Sequence, residues 1–377
     1  MMPGGRARVL YLSHTLSIGG AEEMVSNLVH HLPRERFEPM VCCIGSLGPI
    51  GEELASSGEM VTALHADPGL RRPFDLLTIR RYLRRTRPDI VHTFMLTASL
   101  YGRLAAALAR VPVIIGTEVN IYADKRPHHA LAERLLATVT DRIVTSAVSV
   151  KDYYVRQIGV DAARVEVIHN AVNFSQLETT ADRAELRRRL GLPGDVLVAG
   201  VIARLTEQKG HAYLLDALAG VPALAAMHLL VVGDGPLRAD LEQRASANGL
   251  ADRVHFVGSR RDLGDLLSVM DLFVLPSLWE GLPLAMVLAM GARVPVVATS
   301  VAGIPEVVTD GVTGLLVPPA DADRLGGALA RLAGEPALRA RRGDAAREHV
   351  LPRFGVDGYV AAVSRLYEAL LARRAAA

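Results

Sequence analysis

Short runs rich in Val, Ile and Leu alternate along this chain with Ala/Leu/Arg segments at helical spacing, and that alternation is its strongest constraint. Strand-like runs occur at Arg8–Leu12, Pro39–Ile44, Met60–Leu64, Ile90–Thr93, Val113–Gly116, Arg142–Thr145 and Val165–Ile168. A second series occurs at Val196–Ala203, His228–Val232, Val254–Val257, Leu272–Leu275, Val296–Ala298 and Gly314–Val317. Helical segments such as Ala21–Leu32, Leu76–Arg87, Ser99–Arg110 and Leu237–Ala247 lie between them. Strands separated by helices predict parallel sheets covered on both faces, an α/β fold. After Val165-Glu-Val-Ile168, the stretch His169-Asn-Ala-Val-Asn-Phe-Ser175 turns away, and polar Glu178 to Asp182 leads into a new helix. The boundary is therefore expected near His169–Asp182, with one doubly wound, Rossmann-like domain over 1–174 and another over 175–355. Residues 356–377 are helical and Ala-rich with no strand after them, and are expected to pack back on the first domain.

A chain of 377 residues, half of them apolar, has room for two or three domains and a large core. Lys plus Arg number 42 against 40 Asp plus Glu, so nothing favours a nucleic-acid partner or a disordered, highly charged chain. Cys42 and Cys43 are strand neighbours that point to opposite faces, so they are poorly placed to bridge each other. That usage suits a reducing compartment. The apolar run Val9 to Leu12 is too short for an export signal, and Gly220, Pro222 and His228 break the longest apolar stretch, Ala217 to Val232. A cytoplasmic enzyme or binding protein is expected.

The helix Leu76–Arg87 is the one concentrated charge feature. Leu76, Leu77, Ile79 and Leu83 form an apolar stripe, and Arg80, Arg81, Arg84, Arg85 and Arg87 cover the rest until Pro88 ends it. Two readings are open: a solvated outer face, or peripheral contact with an anionic membrane.

In open α/β sheets ligands bind beyond the carboxyl ends of the strands. In the second half those positions are Arg204-Leu-Thr-Glu-Gln-Lys209-Gly210, Gly233-Asp-Gly-Pro236, Gly258, Pro276-Ser-Leu-Trp-Glu280-Gly-Leu-Pro283 and Thr299 to Glu306. Glycines, two cations and two carboxylates thus converge on one edge. Arg204 and Lys209 suit a diphosphate, one as a planar fork of donors and the other as a point charge. Pro283 fits the first position of a helix, which would turn the N–H groups of Gly281 and Leu282 toward the edge as an anion site, with Glu280 placed to accept from sugar hydroxyls. In the first half, Ser17-Ile-Gly19-Gly20-Ala-Glu22 lacks the G-x-G-x-x-G spacing, so a dinucleotide is not indicated, yet two glycines there admit close backbone approach.

Nearly the whole chain resembles the retaining glycosyltransferases of the large two-Rossmann-domain class (GT-B), family 4 type. The resemblance is carried, in order, by Arg8-Val-Leu-Tyr11, Gly19-Gly-Ala-Glu22, Pro88-Asp-Ile-Val-His92, Thr117-Glu118, Val167-Ile-His-Asn170 and Arg204 to Gly210. It continues through Val232-Gly-Asp-Gly-Pro236, Phe256-Val-Gly258, Pro276 to Pro283 and Gly303-Ile-Pro-Glu-Val-Val308. The resemblance implies two domains facing a central cleft, a nucleotide-sugar donor (a UDP- or GDP-sugar) in the second and a glycan, lipid or small-molecule acceptor mainly in the first. It implies transfer with retained configuration, no required metal and no cofactor. It makes Arg204 and Lys209 diphosphate ligands and Glu280 the residue at the donor sugar. Gly258, Gly281, Leu282 and Glu306 join the donor side, with Gly19, Gly20, His92 and Glu118 on the acceptor and phosphate side.

The chain departs from the family pattern at several polar positions. The second of two glutamates separated by seven residues, a ribose ligand in the family, is Leu288. The histidine of T-E-H-N is Val119, V-H-T-H reads Val91-His-Thr-Phe94, S-E-x-V reads Ala147-Val-Ser-Val150, and the glycine before V-P-V is Arg293. Two functions are therefore carried forward: an active transferase, and a catalytically degenerate relative that binds a nucleotide, a glycan or a partner enzyme.

Overall fold

The computed structural model describes residues 5–66, 73–121 and 127–376. Its contacts divide the chain into two compact units, one running to Ala171 and resuming at Val356, the other spanning Val172–Gly355.

The first unit contains β1 (Ala7–Ser13), β2 (Phe37–Cys43), β3 (Val61–Ala63), β4 (Ile90–Phe94), β5 (Val113–Glu118), β6 (Arg142–Thr145) and β7 (Val165–Val167). They form one sheet in the order β3-β2-β1-β4-β5-β6-β7. Each neighbouring pair is parallel. The connecting helices are α1 (Gly20–His31), α2 (Gly48–Ser56), α3 (Pro73–Thr86), α4 (Leu96–Ala109), α5 (Pro127–Leu136) and α6 (Val148–Tyr153). Right-handed crossovers place helices on opposite faces according to the direction in which the strand order grows. Accordingly α3 packs on α4 and α4 on α5, whereas α1 packs with the last helix of the chain.

The second unit contains α7 (Arg183–Arg189), β8 (Val198–Ile202), α8 (His211–Gly220), β9 (His228–Val232), α9 (Arg238–Ala247), β10 (Val254–Gly258) and α10 (Leu263–Val269). It continues with β11 (Leu272–Leu275), α11 (Leu284–Gly291), β12 (Val296–Thr299), α12 (Ile304–Val307), β13 (Gly314–Val317), α13 (Ala322–Gly334) and α14 (Pro336–Val350). The parallel sheet order is β10-β9-β8-β11-β12-β13. One apolar cluster joins Phe273, Leu275, Met286 and Leu288 on one face, and another joins Val274, Leu214, Leu241 and Leu329 on the other. Alternate residues of β11 thus feed opposite layers, as a strand buried on both faces requires.

Every strand run read from the sequence is a strand here, with ends moved by two residues at most. Helix ends moved further: the segment read as Ser99–Arg110 begins at Leu96, directly after β4. The final helix, α15 (Val356–Ala375), packs on α1 and β5 of the first unit. Tyr367 fixes it there, with its ring edge-on to Phe37 at 5.7 Å and its hydroxyl 2.6 Å from Nδ1 of His92.

Candidate active site

Parallel strands bring their carboxyl ends to one edge, and in the second unit that edge is a woven set of loops. The Leu205 N–H donates to the Asp234 carbonyl at 2.9 Å, and the Gly233 N–H to that of Gly258 at 2.8 Å. The Leu278 N–H donates to the Gln208 carbonyl at 2.8 Å, and the Gln208 amide returns a bond to Trp279 at 2.9 Å. The Thr299 hydroxyl reaches the Ser277 carbonyl at 2.6 Å, and the Gly303 N–H that of Gly281 at 3.0 Å. Each loop is therefore held by its neighbour in the sheet. Two glycines make this weave possible. A Cβ on Gly210 (φ 63°) would stand 2.0 Å from the Pro276 carbonyl oxygen, and one on Gly233 (φ 137°) 2.0 Å from that of Ala203. No side chain fits at either place.

On this scaffold the charged residues take distinct states. Glu280 is buried, paired with the Lys209 ammonium, and accepts from the Ser277 hydroxyl at 2.7 Å. Lys209 keeps two further donors after that contact. Arg204 is exposed, and among the described residues its side chain has neither an ion pair nor a hydrogen bond. Glu280 is thus balanced by Lys209, while Arg204, at the start of the same loop as Lys209, has no carboxylate partner. Ser277 was missed by sequence reasoning, although its place three residues before Glu280 in Pro276-Ser-Leu-Trp-Glu280 was the available signal. His211 was also missed: it is buried, both ring nitrogens lack a partner, and burial first, then the Lys209 charge, push its pKa down to about 4.

Gly281 and Leu282 are buried at the entrance of α11, and neither N–H meets an acceptor among the described residues. Pro283 is the N-cap of that helix, one residue earlier than the first-position reading. Gly258 ends β10 in the left-handed region, at φ 72°. Glu306 is half-buried on α12.

The first unit treats its motif residues differently. Gly20 is exposed at the start of α1 and Gly19 half-buried before it. A Cβ on Gly19 would lie 2.5 Å from Oε2 of Glu22, whose other oxygen accepts from Ser17 at 3.1 Å. A protein carboxylate thus already stands beside the first turn of α1, where it interacts favourably with the helix dipole.

His92, read from sequence as an acceptor-side residue, is 0% exposed. Its two ring nitrogens meet the hydroxyls of Tyr367 and Thr117, each at 2.6 Å, and Phe94 packs against its ring at 4.5 Å. Burial pushes its pKa down to about 3. His92 lies within β4, under the helix layer, and not in the loop beyond the strand. Glu118, the last residue of β5, is likewise 0% exposed. It lies near Tyr154, whose phenol is pushed up by burial first and by the Glu118 and Glu133 charges next. Beneath it Arg103 and Glu133 form an ion pair with both side chains fully buried. Gly116 leaves room for Arg103, whose Cδ would be 3.2 Å from a Cβ there.

The departures are also placed. Leu288 is 2% exposed and belongs to the core cluster behind β11, so it presents no wall to a ligand. Val119 is half-buried, with its carbonyl accepting from Ser146 at 3.2 Å. Arg293 adopts φ 62° where glycine is at ease, with its guanidinium 3.5 Å from Asp344. Among the described residues no helix is long and apolar enough to cross a membrane.

Residues 18–176 match the glycosyltransferase family 4 model, and residues 196–335 match that of glycosyl transferases group 1. The chain is 29% identical over 322 residues to the UDP-Gal:alpha-D-GlcNAc-diphosphoundecaprenol alpha-1,3-galactosyltransferase of Escherichia coli, covering 81% of this chain and 83% of that one. It is 31% identical over 292 residues to the alpha-D-kanosaminyltransferase of Streptomyces kanamyceticus, covering 71% and 74%. Anabaena HepE, solved with UDP and glucose, shares the fold with a TM-score of 0.84 at 22% identity, over 97% of this chain and all of that one. With one family model matched across the first sheet and the other across the second, and with this degree of identity to a named sugar transferase, the chain belongs to the group 1, family 4 glycosyltransferases of the GT-B fold.

Proposed function

We propose that the protein is a retaining glycosyltransferase that takes its sugar from a UDP-sugar and passes it to a glycan or lipid acceptor. The observation that carries this reading lies at the edge of the second sheet: the Lys209–Glu280–Ser277 constellation, with an unpaired Arg204 in the same loop as Lys209. Support for uridine comes from the galactosyltransferase of Escherichia coli, whose name specifies UDP-Gal, and from the structure of HepE with UDP.

The chemistry follows from the charges. Arg204 and the free donors of Lys209 bind the donor diphosphate, and the unpartnered N–H groups of Gly281 and Leu282 meet sugar or phosphate oxygens. Glu280, held by Lys209 and Ser277, accepts from a sugar hydroxyl and orients the ring. The bond from the anomeric carbon to the diphosphate oxygen breaks while the acceptor oxygen bonds to the same face. The acceptor proton moves to the departing phosphate oxygen, so the configuration is kept and the proton count balances. The negative charge gathering on the diphosphate is stabilised by Arg204 and Lys209, which is the protein's main contribution to rate. Gly258 borders the base, and Glu306 completes the donor side. The protein acts in the cytoplasm, with Arg80, Arg81, Arg84 and Arg85 in peripheral contact with the inner face of the membrane.

Calorimetric titration with UDP, GDP and ADP tests this directly. UDP is expected to bind and the other two to bind at least about tenfold more weakly, a difference of roughly 1.4 kcal/mol. Absence of binding by all three removes the donor assignment. A second reading, a degenerate protein that binds without turnover, is favoured by Leu288, which leaves no carboxylate for the ribose. Firm UDP binding with no release of UDP from any UDP-hexose, with or without acceptors, selects that reading.

A further inference from the structure

The outer helix layer of the first unit, formed by α3, α4 and α5, carries five exposed leucines among the described residues. Large apolar side chains stand in solvent along it: Leu77 on α3, Leu104 and Leu108 on α4, and Leu131 and Leu135 on α5, the last two 58% and 61% exposed. Val139 extends the row just past α5. Leu104 and Leu108, like Leu131 and Leu135, are four residues apart and so share one face of their helix. Because α3 packs on α4 and α4 on α5, these leucines belong to one helix layer. Exposed apolar surface grouped in this way is unusual on a protein that stays free in water.

Its charges are all of one sign. The acidic residues of α3, α4 and α5 are Asp75 and Glu133, and both are buried. The exposed charges among their described residues are Arg81, Arg84, Arg85 and Arg134, with Arg87 and Arg110 just past the ends of α3 and α4. Arg80 leans across to the carbonyl of Leu108 at 3.2 Å, which ties the basic row of α3 to the apolar row of α4. Several other helices carry exposed acid: α2 has Glu52 and Glu53, α9 Asp240 and Glu242, α13 Asp323, and α15 Asp357 and Glu368. Among the described residues, α3, α4 and α5 thus combine exposed leucines with exposed arginines and no exposed acid.

We propose that the α4–α5 leucine ridge inserts into the interface of an anionic bilayer while the α3 arginines bind the headgroups around it. The proposal rests on the peripheral membrane contact in the functional reading above and deepens it. Arginines alone would give a contact set by charge and erased by salt. A ridge of leucines adds apolar burial, which salt does not screen. Cationic heads with apolar neighbours fit an anionic lipid surface, where each basic residue near the surface adds attraction and apolar side chains enter the acyl boundary.

The test is co-sedimentation of the full chain with phosphatidylcholine vesicles, with and without phosphatidylglycerol, at low and high salt. The expected result is binding that requires phosphatidylglycerol and survives in part at high salt. L131S combined with L135S should weaken it by about tenfold or more, since both side chains leave the apolar phase. R81E combined with R84E should remove it at low salt. Unchanged melting and unchanged UDP binding establish that the variants are folded. If the leucine variant binds like wild type and salt releases everything, the ridge is not inserted and the proposal falls. No binding to either vesicle at low salt overturns it as well. A dimer in sedimentation equilibrium that L131S with L135S splits into monomers would assign the ridge to a second copy of the chain and also overturn it. UDP binding is read on the same samples, so a failure here leaves the donor reading standing.

Discussion

The carboxyl edges of the two sheets carry motif residues of the same family, yet the two units use them in opposite ways. At the edge of the second sheet, Arg204 stays free in solvent and Lys209 keeps donors to spare, while Glu280 is held in place by two neighbours. In the first unit, His92 and Glu118 are sealed from solvent, and a protein carboxylate stands beside Gly19. A polar residue in a loop past a strand is available to a ligand. The same residue inside a strand, beneath a helix layer, is consumed by internal partners. The edge of the second sheet therefore keeps charged groups open to a ligand, whereas His92 of the first unit is held by internal partners.

The largest expected effect tests whether restoring a family residue can restore its role. Leu288→Glu puts a carboxylate into the packed cluster of Phe273, Met286 and Val287. The loss should be about 3–5 kcal/mol, visible as a large fall in melting temperature, with no gain in UDP affinity. A stable variant with tighter UDP binding would mean that position 288 faces the ligand after all, and the donor edge would need to be redrawn.

The next effect belongs to His92. Its pKa is lowered from 6.5 to about 3, so the unfolded chain binds a proton that the folded one refuses. Its contribution is complete above about pH 6.5 and is lost as pH falls toward 3, at roughly 1.4 kcal/mol per pH unit. His92→Phe should flatten that part of the pH–stability profile. It should also cost about 2–3 kcal/mol at neutral pH, because the hydroxyls of Tyr367 and Thr117 lose their partner. UDP binding, which we propose for the second unit, should not change. A loss of UDP affinity in a folded His92 variant would break the contrast between the two edges.

The smallest effect separates a backbone departure from a chemical one. Arg293 holds a left-handed conformation that favours glycine, and its ion pair with Asp344 is largely exposed. Arg293→Gly should leave UDP binding alone and raise stability by about 0.5 kcal/mol, the left-handed strain relieved exceeding the added chain entropy of glycine.

Much of the fold was legible because most strands are short apolar, often β-branched runs near Gly- or Pro-marked turns. The loops at the carboxyl edge of the second sheet were legible for the same reason: Lys209-Gly210 and Glu280-Gly-Leu-Pro283 announce loops after strands. Less could be read where side chains meet across distance. Nothing local links Lys209 to Glu280, which are brought together by the Gln208–Trp279 and Leu278–Gln208 bonds. The burial of His92 depends on Tyr367 of α15, from the far end of the chain. The inward direction of Leu288 depends on which side of α11 meets the sheet, and a helix apolar all round gives no clue to that. The buried Arg103–Glu133 pair needed the space above Gly116, which composition does not reveal.

The most direct measurement is calorimetric titration of UDP into the wild-type protein and into Arg204→Ala. Arg204 is exposed and unpaired, so its removal should leave melting unchanged. If it clamps the donor diphosphate, UDP affinity should fall by about 1.5–3 kcal/mol, roughly tenfold to more than a hundredfold. Equal UDP affinity in the two proteins would contradict a donor site at the carboxyl edge of the second sheet.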